Sequence, residues 1–353
     1  MNHPNLDTWA TWREINAQPG IWRAWARSFD PQPIADWIAS LNVSEIWLSG
    51  AGTSAFIGDI IAAAFEGDPR RIRSVPSTDI VSSPNAFLTG KSPLIINFGR
   101  SGDSAETFGV LDALDVLALD APRLNITCNA DGALASRNSP GDQRVIVLPE
   151  ATHDSGFAMT SSFSTMLITA LGCLSPQHFK ECAQLLADAW DRVLPHTSII
   201  APPKRMVFLG AGPLAFAARE SALKVLELSA GQIPALWDTT LGFRHGPKSF
   251  VTDGTAIYLF LSSDPHARAY DDDLCAELSQ QFPNAVVTTI GPGGDIDLPA
   301  LPAGWDAILP VCVAQILAVE WSAALGLNVD NPFEGMGTLT RVVSGVTLHE
   351  IGA

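Results

Sequence analysis

A short apolar strand that runs into a glycine turn and then a helix occurs twice in this chain, 160 residues apart. The first copy is Glu45-Ile-Trp-Leu-Ser-Gly-Ala-Gly-Thr-Ser54 with a helix over 55–65; the second is Met206-Val-Phe-Leu-Gly-Ala-Gly212 with a helix over 214–228. Gly50 aligns with Gly210, Gly52 with Gly212 and Phe56 with Phe216. Further apolar strands follow in the same order in both halves: 94–98 with 257–261, 124–128 with 286–290, and 145–148 with 307–309. A long apolar helix closes each half, over 156–174 and 311–327. Repeated strand–helix alternation predicts an α/β fold of two tandem domains, each a parallel sheet sandwiched between helices in three α/β/α layers, flavodoxin- or Rossmann-like. In such folds the strand-to-helix turns collect where ligands bind. The expected boundaries are a helical segment over 1–40, a first domain over 41–195, a second over 204–341 and a tail over 342–353. Pro195, Pro202 and Pro203 mark the junction.

The amino-terminal segment is rich in tryptophan. Thr11-Trp-Arg-Glu14 has the form of a capping box, and Gln18-Pro-Gly20 is expected to break the helix before Ile21. Trp9, Trp12, Trp22 and Trp25 offer more apolar surface than a solvated arm needs, so they should dock on a domain or a second subunit. Only 16% of residues are charged, which suits buried parallel sheets. A net charge of -16 without any basic block argues against nucleic acid as partner. Five scattered cysteines form no Cys-x-x-Cys, and the histidines show no ligand spacing, so neither disulfides nor a metal is expected. The opening residues lack a signal-peptide pattern, and the most apolar window, 311–329, carries Gln315 and Glu320. These features predict a cytoplasmic protein with no membrane partner.

Two stretches carry chemistry. Phe98-Gly-Arg-Ser-Gly-Asp-Ser-Ala-Glu-Thr107 follows a strand and opens a helix, where backbone N–H groups and hydroxyls favour an anion. Arg100, Ser101, Ser104 and Thr107 are the donors expected for a phosphate, with Asp103 turned outward in the first helical turn. The matching loop of the second half, Leu261-Ser-Ser-Asp-Pro265, has lost the glycines, so one phosphate site per chain is expected. The second stretch is Arg219-Glu-Ser-Ala-Leu-Lys-Val-Leu-Glu-Leu228, followed by Arg244-His-Gly-Pro-Lys248. Glu220, Lys224 and Glu227 fall on one helix face amid apolar residues. The stripe reads either as solvated salt bridges or, with a histidine turn nearby, as equipment for moving protons. His153-Asp154 reads as a helix cap before Gly156 or a catalytic pair, and Lys248 as a site or surface residue.

These motifs, with Thr152-His-Asp-Ser-Gly-Phe-Ala-Met-Thr-Ser-Ser162, resemble the double sugar-isomerase (SIS) proteins along nearly the whole chain. Within them the chain is most similar to the AgaS-type galactosamine-6-phosphate deaminase/isomerases, also described as tagatose-6-phosphate ketose/aldose isomerases. The resemblance implies that Gly52, Thr53 and Ser54, with Ser101 and Ser104, bind a sugar phosphate. It implies that Glu227 moves a proton between C1 and C2, that Lys224 supports it, and that His245 opens the sugar ring, often from a neighbouring subunit. Phe157, Ala158 and Met159 would line the sugar, and Arg244 would stabilise developing charge beside Lys224. A homodimer or higher homo-oligomer with its site near the interface is implied, and no cofactor is required. The related aminotransferases form a Schiff base from a tail lysine; Ser344 and Gly345 stand there, and no amino-terminal cysteine follows Met1. The resemblance therefore points to ammonia release, or to isomerisation alone, and away from glutamine-dependent amino transfer. A non-catalytic sugar-phosphate regulator is the remaining alternative, though 1–40 shows no helix-turn-helix pattern.

Overall fold

A computed structural model describes residues 5–193, 201–342 and 345–351; Pro195 of the expected junction lies outside these residues. The helices are α1 (Ala10–Ser28), α2 (Gln32–Ser40), α3 (Thr53–Ala64), α4 (Ser77–Ser82), α5 (Pro84–Leu88), α6 (Ala105–Leu117) and α7 (Ala133–Ser136). They continue as α8 (Ser161–Leu174), α9 (Phe179–Asp188), α10 (Trp190–Val193), α11 (Pro213–Leu228), α12 (Pro265–Gln281) and α13 (Ile308–Ala324). One sheet holds β1 (Glu45–Ser49), β2 (Arg71–Ser74), β3 (Leu94–Gly99), β4 (Arg123–Thr127) and β5 (Gln143–Val147). The other holds β6 (Met206–Gly210), β7 (Ala235–Thr239), β8 (Ala256–Phe260), β9 (Val286–Gly291) and β10 (Ile296–Asp297).

Every pairing is parallel, and the orders β2-β1-β3-β4-β5 and β7-β6-β8-β9-β10 are the same topology used twice. The chain reverses direction across each sheet between its first and third strands, which opens a crevice at their carboxyl ends. The central strands β1, β3, β4, β6 and β8 are almost wholly buried, as near-continuous apolar runs in a covered parallel sheet must be. Helices α3 and α11, which follow the two glycine turns, pack against each other between the sheets. Arg219 joins them: its guanidinium lies 4.1 Å above the Phe56 ring and 2.7 Å from the Asp59 carboxylate.

Several expectations need correction. Residues 307–309 are not a strand; they start α13, and β10 takes that edge of the sheet. Strands β2 and β7 were not expected, because edge strands with one polar face lack a long apolar run. Helix α1 runs straight through Pro19. Proline removes the N–H that would reach the Ile15 carbonyl, and the Gln18 side chain donates to that carbonyl instead, at 3.1 Å. Gln18 is itself fixed by Gln315 at 3.0 Å and by Ser164 at 2.6 Å.

The capping box at Thr11 does not form either. Asp330, from the far end of the chain, accepts from the Ala10 and Thr11 N–H groups and the Thr11 hydroxyl, each at 2.8 Å. Glu14 accepts instead from Ser155, at 2.6 Å from its N–H, and burial raises its pKa. The tryptophans dock within the chain: Trp22 donates to Ser164 at 3.1 Å and Trp25 to Thr169 at 2.9 Å, both on α8.

Candidate functional site

The crevice beside β1 and β3 holds a cavity of about 320 Å³, within the range of small-molecule sites. Three turns and one helix build it. The first turn, Gly50–Ser54, is forced into shape by glycine: a Cβ on Gly50 would lie 2.6 Å from Ser54, and Gly52 sits at φ 55°. The second, from Arg100 to Ser104, ends where Ser104 caps α6 by accepting from the Thr107 N–H at 3.2 Å. Asp103 lies before the helix, not in its first turn, and accepts from the Ala133 N–H at 2.7 Å, tying this turn to α7. The third is the loop before α8, which brings Phe157 and Met159 to the wall. That helix begins at Ser161, five residues later than expected, because Asp154 caps it there. The buried Asp154 carboxylate accepts from the N–H groups of residues 160–162 and from all three of their hydroxyls.

Helix α11 supplies the charged floor. Lys224 is fully buried, with its ammonium 2.6 Å from Glu227 and 3.3 Å from Glu220. Thr53, reaching from the first turn, accepts from Lys224 at 3.0 Å and donates to Glu220 at 3.2 Å. The stripe is therefore buried, not a set of solvated salt bridges. Burial works against the ammonium, but the two carboxylates outweigh it and hold the Lys224 pKa above the ordinary lysine value. Burial likewise pushes Glu220 up, against the pull of Lys224, to about 7. Glu227 is the member that opens into the cavity, with 22% of its side chain exposed.

Of the residues expected at a site, Gly52, Thr53, Ser54, Arg100, Ser101, Ser104, Thr107, Phe157, Met159 and Glu227 meet at this cavity. Lys224 stands directly behind Glu227. Ala158 is in the hydrophobic core and not at the wall. Arg100 lines the cavity, yet its guanidinium donates to the carbonyls of Gly156, Phe157 and Arg341. Burial and the adjacent Arg341 draw its pKa down. His245 and Arg244 do not line it: their turn lies after β7, where Arg244 is 2.6 Å from Glu277 and Lys248 pairs with the same carboxylate.

Sequence reasoning did not foresee the segment Leu339–Val342, which lines the cavity, or the part of Ser77 and Asn97 in its wall. Arg341 donates to the Asp154 and Gly156 carbonyls and so pins that segment across the site. No local pattern announced this, because the tail meets Arg100 only across 241 residues of sequence. Ser344 of the tail lies outside the described residues. Among the described residues no group of three metal-ligating side chains is gathered, and no helix is long and apolar enough to cross a membrane.

Comparison with known proteins agrees with this geometry. The SIS domain model matches residues 41–171. D-galactosamine-6-phosphate deaminase AgaS of Escherichia coli is 39% identical over 97% of this chain and 96% of its own length. The protein of the same name from Shewanella sp. is 37% identical over 96% and 91%. The crystal structure of tagatose-6-phosphate ketose/aldose isomerase from Escherichia coli superposes with a TM-score of 0.85 at 35% identity, covering 98% of this chain and 97% of that one. Glucosamine-6-phosphate deaminase from Thermotoga maritima, 24% identical with a TM-score of 0.77, shares the fold. With two SIS-type sheets in tandem and relatives matched end to end, the chain belongs to the AgaS branch of the SIS-domain family.

Proposed function

We propose that this protein is an amino-sugar-phosphate deaminase/isomerase that converts galactosamine 6-phosphate to tagatose 6-phosphate and ammonia. The observation that carries the reading is a carboxylate, Glu227, held 2.6 Å from a buried ammonium and opening into the same cavity as a hydroxyl-rich helix start. The AgaS relatives bear the name of that reaction. The first SIS half supplies the phosphate turns and the second supplies the catalytic helix.

The phosphate sits against Ser54, Ser101, Ser104 and Thr107 at the starts of α3 and α6, whose N–H groups favour an anion. Arg100 and Arg341 add positive charge to the same wall. In the open-chain amino aldose, Glu227 takes the C2 proton while O1 gains a proton from water, giving an enolamine. Glu227 then returns its proton to C1 as the nitrogen gives up a proton to water. The product is a ketimine at C2, and water converts it to the ketone and ammonia. Lys224 touches only protein groups and acts through Glu227, fixing the position of its carboxylate from 2.6 Å.

His245 lies away from the cavity of its own chain, so in this reading it opens the sugar ring in the cavity of a second copy. A homodimer is the simplest assembly that places it there. Leu241, 47% exposed beside that turn, is suited to such a contact. Unpaired cysteines favour a reducing cytoplasm. A second reading, ketose/aldose isomerisation without ammonia release, draws support from the name of the superposed Escherichia coli isomerase.

The test is ammonia release from galactosamine 6-phosphate, with glucosamine 6-phosphate in parallel. Glu227→Gln is expected to lower kcat at least about 100-fold, the loss typical of a general base. Interconversion of keto and aldo hexose phosphates with no ammonia would establish the second reading.

A further inference from the structure

The two halves share their topology, so each position at the first cavity has a counterpart in the second. Ser104 caps α6 and Asp264 caps α12, each accepting from the N–H three residues on. Counting from these caps, Leu111 of α6 corresponds to Asp271 of α12, and Gly102 to Ser262. Ser77 donates its N–H to Gly50 at 2.8 Å, and Thr240 donates its N–H to Gly210 at 3.0 Å, so those two correspond as well. In the first half Ser77, Gly102 and Leu111 all line the cavity. In the second, the equivalent space holds a carboxylate. Asp271 is fully buried and accepts from the Thr240 hydroxyl at 2.6 Å and the Ser262 N–H at 2.9 Å. Its charged neighbours on α12 are Arg268, which favours the anion, and Asp272, which opposes it.

A buried carboxylate is costly unless its oxygens are bonded. Here the donors are those that a phosphate oxygen would meet at the matching positions of the first half. Leu111, at the place of Asp271, brings no anion of its own and leaves the donors facing the cavity. We propose that Asp271 is a built-in stand-in for the substrate phosphate, closing the second half to anions. By the same correspondence Ser77, the partner of Thr240, is a phosphate ligand in the first half. This rests on the reading of the first cavity as a phosphate site.

Inorganic phosphate titrated calorimetrically into the full chain tests both parts. The wild type should bind one per chain. Ser77→Ala should weaken that binding about ten-fold, the loss of one hydrogen bond to a charged group. It should also raise KM for galactosamine 6-phosphate with kcat retained, and Ser77→Thr, the hydroxyl residue of the second half, should restore both. Asp271→Ala should bind a second phosphate with activity unchanged. Phosphate held at wild-type strength by Ser77→Ala but lost by Ser101→Ala would overturn the ligand assignment while leaving the phosphate reading intact. A folded Asp271→Ala protein, checked by circular dichroism, that still takes one phosphate would overturn the stand-in. The Ser77 arm holds whether or not that variant folds. Phosphate that neither binds the wild type nor slows its turnover would remove the reading and the proposal together.

Discussion

Replacing Lys224 by methionine isolates the energetics of the buried charges. At 2.6 and 3.3 Å, each attraction amounts to about 5–6 kcal/mol at an effective dielectric of about 20. Desolvation of three charged groups consumes most of that. The expected net loss on removing one partner of such a group is about 3–5 kcal/mol, a large share of a typical domain's stability. Glu227, 22% exposed, can turn to solvent for compensation. Glu220 is fully buried and must bear the loss. In the wild type its carboxyl titrates at about 7, against an ordinary value of 4.5. Without Lys224 the chief influence holding it down is gone, and the folded pKa moves higher still. Between the unfolded and folded values the native state holds a proton that the unfolded state has released. Stability therefore falls with rising pH, by about 1.4 kcal/mol per unit. The wild type stops falling above about pH 7, whereas the variant continues, so its deficit widens toward pH 9. Urea unfolding at pH 6 and pH 9 reads this directly. The double variant Lys224→Met with Glu220→Gln should recover all but about 1 kcal/mol, because it leaves no unpaired charge in the core. A single-variant loss below about 1 kcal/mol, or a deficit equal at both pH values, would refute the reasoning.

Other perturbations probe other parts of the molecule. Asp154→Ala strips the acceptor from three backbone N–H groups and three hydroxyls; thermal and urea unfolding should show a loss of about 3–5 kcal/mol. Arg341→Ala frees the segment that covers the cavity, so KM for the sugar phosphate should rise about ten-fold with kcat changed less, and chymotrypsin should cut near Leu339 sooner. His245→Asn and Glu227→Gln proteins, each nearly inactive, should regain about a quarter of wild-type activity when unfolded together and refolded as mixed dimers. Recovery of nothing would place ring opening within a single chain.

Much of this protein was legible in its sequence because the same local grammar is written twice. Glycine at 50, 52, 210 and 212 and apolar runs at the central strands leave few alternatives to a pair of parallel sheets. Their turns had to meet a ligand at one end of the sheet. The helix period alone placed Glu220, Lys224 and Glu227 together. What the sequence did not carry were contacts between distant segments. Nothing near Thr11 announces that Asp330 will cap its helix, and nothing near Pro19 shows that Gln18 will replace the lost N–H donor. Edge strands β2 and β7 lacked the apolar run that marks a central strand. The charge stripe was ambiguous in sequence because burial decides whether such a row is solvated or enclosed. Only the packing of α3 on α11 removes water from Lys224 and brings Thr53 to it. Local pattern follows from backbone geometry and side-chain shape within a few residues, so sequence determined the fold. Solvent exclusion and charge balance depend on surfaces that meet only once the chain has folded, so tertiary structure decided the chemistry of the site.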